Sequence, residues 1–195
     1  SVKKDLEDIE KFKNIKKGLI DIIKYTIKFC QKNSMKLVVP SKRDKKFSAL
    51  GALREINFFK DNLSKEDFNF LQKKLLEKDT DNFSSLKAIS TSKITVGICS
   101  TLLKNNLVIN NKTFSCNLTK DKNYNFPIQG ICSLNDCSYA EFEKRLLAIY
   151  SMPKDEFFSK LEMSPNYFMS FDKNYSTTQQ IREKLSQIGI NQVQN

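Results

Sequence analysis

The sequence predicts an α/β fold: a Rossmann-like domain with a mainly parallel sheet flanked by helices and a helical C-terminal third. Three observations predict it. Ile94-Thr95-Val96-Gly97-Ile98 is an unbroken, largely β-branched run that suits a buried strand. Ile15, Leu19, Ile22, Ile23, Ile27 and Cys30 recur at the spacing of one buried helical stripe. Helical and strand signals then alternate along the chain, the pattern of parallel strands joined by crossovers.

Taken in order, residues 1–14 read as a charged lead-in to the helix that starts at Ile15. Lys16, Lys17, Lys24 and Lys28 lie mostly off its apolar stripe. Asn33-Ser34 ends it, and Lys36-Leu37-Val38-Val39-Pro40 reads as a short buried strand. Ser41-Lys42-Arg43-Asp44-Lys45-Lys46 is a basic loop. Ser64-Lys65-Glu66-Asp67 resembles a capping box opening a helix with Phe68, Leu71 and Leu75 on its apolar face. Residues 78–92 carry no clear signal. After the 94–98 strand, Cys99-Ser100-Thr101-Leu102-Leu103 reads as a strand–turn–helix junction. Thr113-Phe114-Ser115-Cys116 is a further strand and Gly130-Ile131-Cys132-Ser133 a last short one. Ser138-Tyr139-Ala140-Glu141 is a capping box for a helix bearing Phe142, Leu146 and Ile149. Pro153 suits the first turn of a helix over 153–162, and Ser176-Thr177-Thr178 opens a final one. These elements place one Rossmann-like domain at 15–190, with a tail at 191–195.

Composition narrows the chemistry. The 195 residues are 39% hydrophobic and include 15 Phe, enough to fill a core. No stretch approaches the roughly 18 consecutive apolar residues of a membrane span. The chain has no His, which excludes Ser-His-Asp and Cys-His catalysis within it. Its five cysteines, at 30, 99, 116, 132 and 137, lack CxxC spacing and sit mostly in apolar runs. They read as buried, reduced thiols of a cytoplasmic protein. Asn-x-Ser/Thr triplets begin at Asn62, Asn82, Asn111, Asn117 and Asn174, as expected by chance in an Asn-rich chain. The formal charge is +11, and residues 1–78 carry 20 basic against 11 acidic residues. A basic half attracts phosphate-rich partners, although a solvated lysine-rich surface gives the same pattern.

Ligands of open α/β sheets bind beyond the carboxyl ends of the strands, and two loops here should occupy that place. Ser41, Lys42 and Arg43 offer a hydroxyl, two cations and a forked contact suited to a diphosphate, or form a solvated turn. Gly97 allows close backbone approach, and Ser100 and Thr101 at a helix start offer hydroxyls and N–H groups to a phosphate. An ordinary helix cap would look the same. Neither GxGxxG nor GxxxxGK[ST] occurs, and the acidic residues form no metal cluster.

The stretch Val96-Gly97-Ile98-Cys99-Ser100-Thr101-Leu102-Leu103, followed by Lys112-Thr113-Phe114-Ser115-Cys116-Asn117, resembles the nucleotide-binding half of GT-B-fold glycosyltransferases of bacterial surface or capsular carbohydrate synthesis. The likeness continues through Phe126-Pro127-Ile128-Gln129-Gly130-Ile131-Cys132-Ser133, Ser138-Tyr139-Ala140-Glu141 and Phe171-Asp172-Lys173-Asn174-Tyr175-Ser176-Thr177. It implies a domain that holds a nucleoside diphosphate sugar as donor substrate, with Ser100, Thr101 and Arg43 near the diphosphate and no metal or other cofactor. Asn105 stands where such relatives place a ribose-binding Glu. The resemblance also implies an acceptor-binding domain or subunit as partner, without which this chain should not catalyse transfer. The alternative is a non-enzymatic basic module. It would bind nucleic acid through stacking by Phe47, Phe58 and Phe59, or an anionic membrane surface, such as the inner face of the plasma membrane, through the N-terminal helix.

Overall fold

A computed structural model describes residues 2–40, 49–76, 84–163 and 183. The first helix, α1 (Val2–Lys32), runs through the charged lead-in and continues to the turn at Asn33. Glu7, Asp8 and Glu10 stand three or four residues before Lys11 or Lys13, a spacing that supports a helix, and nothing in the segment stops one. Two short strands, β1 (Val39–Pro40) and β2 (Leu75–Leu76), pair in parallel, Val39 opposite Leu75. Between them lie α2 (Ala49–Asn62) and α3 (Lys65–Gln72). Ser64 caps α3 as expected, its hydroxyl accepting from the Asp67 amide at 3.0 Å. Leu75, read from the sequence as a helical position, instead leaves the helix and enters β2.

The second sheet is the centre of the molecule. α4 (Ser84–Thr91) leads into β3 (Ile94–Gly97), then come α5 (Thr101–Val108), β4 (Lys112–Asn117), a single 3-10 turn at Lys122–Tyr124, and β5 (Ser133–Asn135). The strands lie in the order β3-β4-β5, all parallel, with Gly97 opposite Ser115 and Asn117 opposite Asn135. The expected α/β class with a parallel sheet is therefore what the chain adopts, although β1 and β2 form a separate sheet. The last short strand sits three residues later than the sequence suggests. Gly130 instead bridges Leu161 in antiparallel fashion, with a left-handed φ of 92°.

Every residue of β4 is buried, and successive side chains point to opposite faces. Thr113 turns towards α5, where its hydroxyl donates to the Leu103 carbonyl at 3.3 Å. Phe114 turns the other way and packs at a tilt against Phe142 of α6 (Tyr139–Ser151), with ring centroids 5.3 Å apart. Phe142 also meets Tyr25 and Phe29 of α1, so α1 and α6 cover one face of the sheet and α5 the other. Ser138 caps α6 in a reciprocal capping box with Glu141, as its sequence predicts. At the far end of α6, the buried ammonium of Lys112 donates to the carbonyls of Ile149, Tyr150 and Met152 at 2.6, 3.2 and 2.6 Å. Burial first, then the charges of Lys93 and Lys154, hold its pKa below the ordinary lysine value. Arg145 of α6 ties down the approach to β5 through the carbonyls of Gly130 and Ile131. Pro153 precedes α7 (Lys154–Ser159). The expected helix from Ser176 lies outside the described residues. No helix among those described is long and apolar enough to cross a membrane.

Candidate functional site

Because β3, β4 and β5 are parallel, their carboxyl ends at Gly97, Asn117 and Asn135 emerge on one edge of the sheet. That edge is where an α/β sheet presents its ligand site. Three features meet on it.

The first is the turn between β3 and α5. Ser100 adopts extended φ and ψ, and its hydroxyl accepts from the Leu103 amide at 3.3 Å, which makes it the cap of α5. Thr101 is exposed in the first turn. The helix N-terminus, with its partial positive charge, thus faces the carboxyl edge. A Cβ built on Gly97 would meet Leu103 side-chain atoms at 3.5 Å or more, an ordinary contact. The protein's own packing therefore does not demand glycine there. Ser115, opposite Gly97 in register, is buried, and its hydroxyl has no hydrogen-bond partner among the described residues. Asn105 lies one turn further along α5 and is half-buried, while its neighbour Asn106 is fully buried and donates to the Lys112 carbonyl and the Thr113 hydroxyl, both at 2.9 Å.

The second feature is a side-chain knot after β4 that sequence reasoning did not resolve. The Asn117 side-chain oxygen Oδ1 accepts from the Thr119 amide at 3.0 Å and from the Thr119 hydroxyl at 2.7 Å. Its amide group donates to the Asp121 carbonyl at 2.9 Å and to Asn125 at 2.6 Å. Asn117 is thus a buried organiser of the turn rather than a surface glycosylation acceptor. Asp121 in turn accepts from the Asn123 amide and pairs with Lys11 of α1 at 3.2 Å. The Asn123 hydrogen bond, with Lys11 contributing less, holds its carboxyl below the ordinary range. The Asn-x-Thr-x-Asp spacing was the available signal, since such side chains bond their own turns.

The third feature is a cavity of about 170 Å³ between α1 and the segments after β4 and β5. Asn14, Lys17, Asp21 and Tyr25 line it from α1, Lys120 from the knot, and Asp136 and Cys137 from beyond β5. Its mixed charge suits a polar ligand. Gly97, Ser100, Thr101 and Asn105 are not among its lining residues. The structure brings Gly97, Ser100 and Thr101 into one turn. Ser41, Lys42 and Arg43 lie outside the described residues, and the strand that leads to them belongs to the separate β1–β2 sheet.

Over residues 11–186 the chain matches the family described as "putative O-antigen biosynthesis protein". It belongs to that family. No curated protein and no solved structure matches the chain. Membership ties this fold to the biosynthesis of a cell-surface carbohydrate, the broad class implied by the sequence resemblance. The stacking platform for nucleic acid finds no support in Phe58 and Phe59. They meet edge-to-face at 5.7 Å in a small core with Ile27 and Leu71, and Phe47 lies outside the described residues.

Proposed function

We propose that the chain is the donor-binding domain of a metal-independent, GT-B-type glycosyltransferase of O-antigen synthesis, holding a nucleoside diphosphate sugar at the carboxyl edge of the β3-β4-β5 sheet. The observation that carries this reading is the parallel β3–α5–β4 unit, whose turn brings the N-terminus of α5 to the end of β3. A diphosphate there gains backbone N–H donors, the Thr101 hydroxyl and the helix dipole, and the same groups stabilise it as a leaving group. Gly97, unneeded for packing, leaves room for the ligand to approach the backbone. Lys42 and Arg43 add the cationic contacts, Ser41 a hydroxyl, and Asn105 reaches a ribose hydroxyl. The acceptor comes from a partner domain or subunit, so transfer requires that partner.

Isothermal titration with UDP, CDP and GDP sugars tests this. One of the series should bind, and Arg43→Ala and Ser100→Ala should each weaken it by about 1–3 kcal/mol, the range for charge-assisted hydrogen bonds. Binding by none of the three series, in folded protein, overturns the reading. A second reading, contact with anionic lipid, is favoured by the exposure of Ile9, Phe12 and Leu19 on α1. Sedimentation with phosphatidylglycerol vesicles, lost in Phe12→Glu, is its expected signature, and a chain left in the supernatant would rule it out.

A further inference from the structure

The described residues include all five cysteines, which are free thiols. The Sγ atoms of Cys116 and Cys137 lie 3.4 Å apart. The fold puts them there. Cys116 sits on the central strand β4, and the β4–β5 ladder continues past β5 through the Asp136 amide bonding the Asn117 carbonyl at 2.8 Å. Cys137 follows at once, with Asp136 in the left-handed region at φ 48°. By contrast, Cys132 is occupied with the Ile128 carbonyl at 3.4 Å. Cys116 is fully buried, but Cys137 forms part of the cavity wall beside Lys17 and Lys120. At about 170 Å³ the cavity admits a molecule as small as hydrogen peroxide, since a water occupies about 30 Å³.

We propose that Cys116 and Cys137 are a redox-active dithiol which a small hydroperoxide entering this cavity oxidises to an intramolecular disulfide. The Cys137 thiolate attacks the peroxide oxygen. A sulfur–oxygen bond forms, the oxygen–oxygen bond breaks, and the departing hydroxide takes a proton to leave as water. The Cys116 sulfur then attacks the Cys137 sulfenic acid. The disulfide forms, the sulfur–oxygen bond breaks, and hydroxide leaves with the Cys116 proton as a second water. Two thiols have lost two electrons and one peroxide has gained them. The order of attack follows from access: Cys137 lines the cavity, whereas Cys116 is fully buried and does not reach it. The sulfur–sulfur contact with Cys116 also holds the Cys137 pKa below the ordinary thiol value, against opposing burial and the charges of Glu141 and Asp136. Cys137 is thus the nucleophile and Cys116 the resolving thiol. The ring closure moves the sulfurs from 3.4 Å to the bonding distance of about 2.05 Å, and the covalent link would staple β4 to the segment that caps α6.

The test treats the reduced 195-residue chain with a slight excess of hydrogen peroxide, blocks remaining thiols with N-ethylmaleimide, and maps peptides without reduction. Cleavage after lysine releases Cys116 in peptide 113–120, and a second cut before Asp136 separates Cys132 from Cys137. The expected product has lost two hydrogens, carries three blocked cysteines, links 113–120 to 136–144, and reverts with dithiothreitol. In Cys116→Ser, Cys137 should stop at a sulfenic acid that dimedone captures. In Cys137→Ser, Cys116 should remain a thiol, and Cys30→Ser should keep the cross-link. Full blocking of both Cys116 and Cys137 after peroxide, in protein whose circular dichroism is native, overturns the proposal. So does a cross-link between any other pair, or dimedone capture at Cys116 in Cys137→Ser.

Discussion

A methyl group on Gly18 would sit 2.6 Å from the Thr119 amide nitrogen and 2.7 Å from the Leu118 carbonyl carbon, both backbone atoms held by the Asn117 knot. Neither α1 nor the knot can yield cheaply, so Gly18→Ala should cost about 1–3 kcal/mol of stability, as overpacking does elsewhere. Gly97 is the opposite case. A methyl there meets only Leu103 at ordinary distance, and glycine in a strand costs about 0.5–1 kcal/mol relative to alanine. Gly97→Ala should therefore leave urea stability unchanged or raised, yet weaken the nucleotide binding proposed for its turn. Urea unfolding and ligand titration on the two variants separate a packing glycine from a ligand-facing one. A Gly97→Ala protein that binds as the parent does would remove that turn from the site. From sequence, Gly97 was conspicuous because it lies in a β-branched run just before the Ser100-Thr101 turn, whereas no local pattern singles out Gly18 between Lys17 and Leu19. Its need arises only when a distant turn is folded against it.

Helix starts were the most readable elements, because a cap is a local device. Ser64, Ser100 and Ser138 each accept from the backbone amide three residues on, as their sequence context implies. What escaped were elements defined by partners far along the chain. α2 leaves Leu50 and Leu53 exposed, which blurs the apolar face that carries Ile56 and Phe59. β2 has two residues, too few to show a period, and Leu75 mimics a helical position relative to Leu71, whereas β1 falls at the end of the 36–40 run that reads as a strand. The Ser138–Glu141 box gives the element-scale prediction. Ser138→Ala should destabilise the protein by about 1 kcal/mol, the usual cost of a lost cap. The Ser138 amide, then its hydroxyl, holds the Glu141 carboxyl below its ordinary 4.5. As pH falls, the unfolded chain binds the proton first, so this contribution is complete above about 4.5 and fades as pH drops through the folded value. Glu141→Gln should flatten the loss of melting temperature between pH 5 and pH 3. An unchanged acid slope would mean that the carboxylate adds nothing to the cap.

Among the described residues the core falls into two hydrophobic clusters, linked through Ile23 of α1 and through Leu37. The larger is built around Phe114, Phe142 and Phe157, and the smaller around Ile27, Phe59 and Leu71. α1 supplies Ile22 and Phe29 to the first and Ile27 to the second, while Ile23 touches both. The sequence showed the stripe that makes this possible, but a single stripe cannot say that its residues serve two cores. It also put Leu19 inside, where the structure leaves it 42% exposed. The arrangement predicts unequal cooperativity. Three elements and a two-residue ladder surround the small cluster, so removing Leu71, which is 1% exposed, should open that unit first. Leu71→Ala should cost about 2–5 kcal/mol within the small unit, as buried leucine truncations do. Hydrogen exchange read by mass spectrometry should then speed up across 58–75 while the amides of 112–117 keep their protection. The carboxyl edge of β3-β4-β5 should stay formed, and any nucleotide affinity with it. If 112–117 lost protection to the same degree as 58–75, the two clusters would be one cooperative core, and α1 would be its spine rather than a hinge between unequal parts.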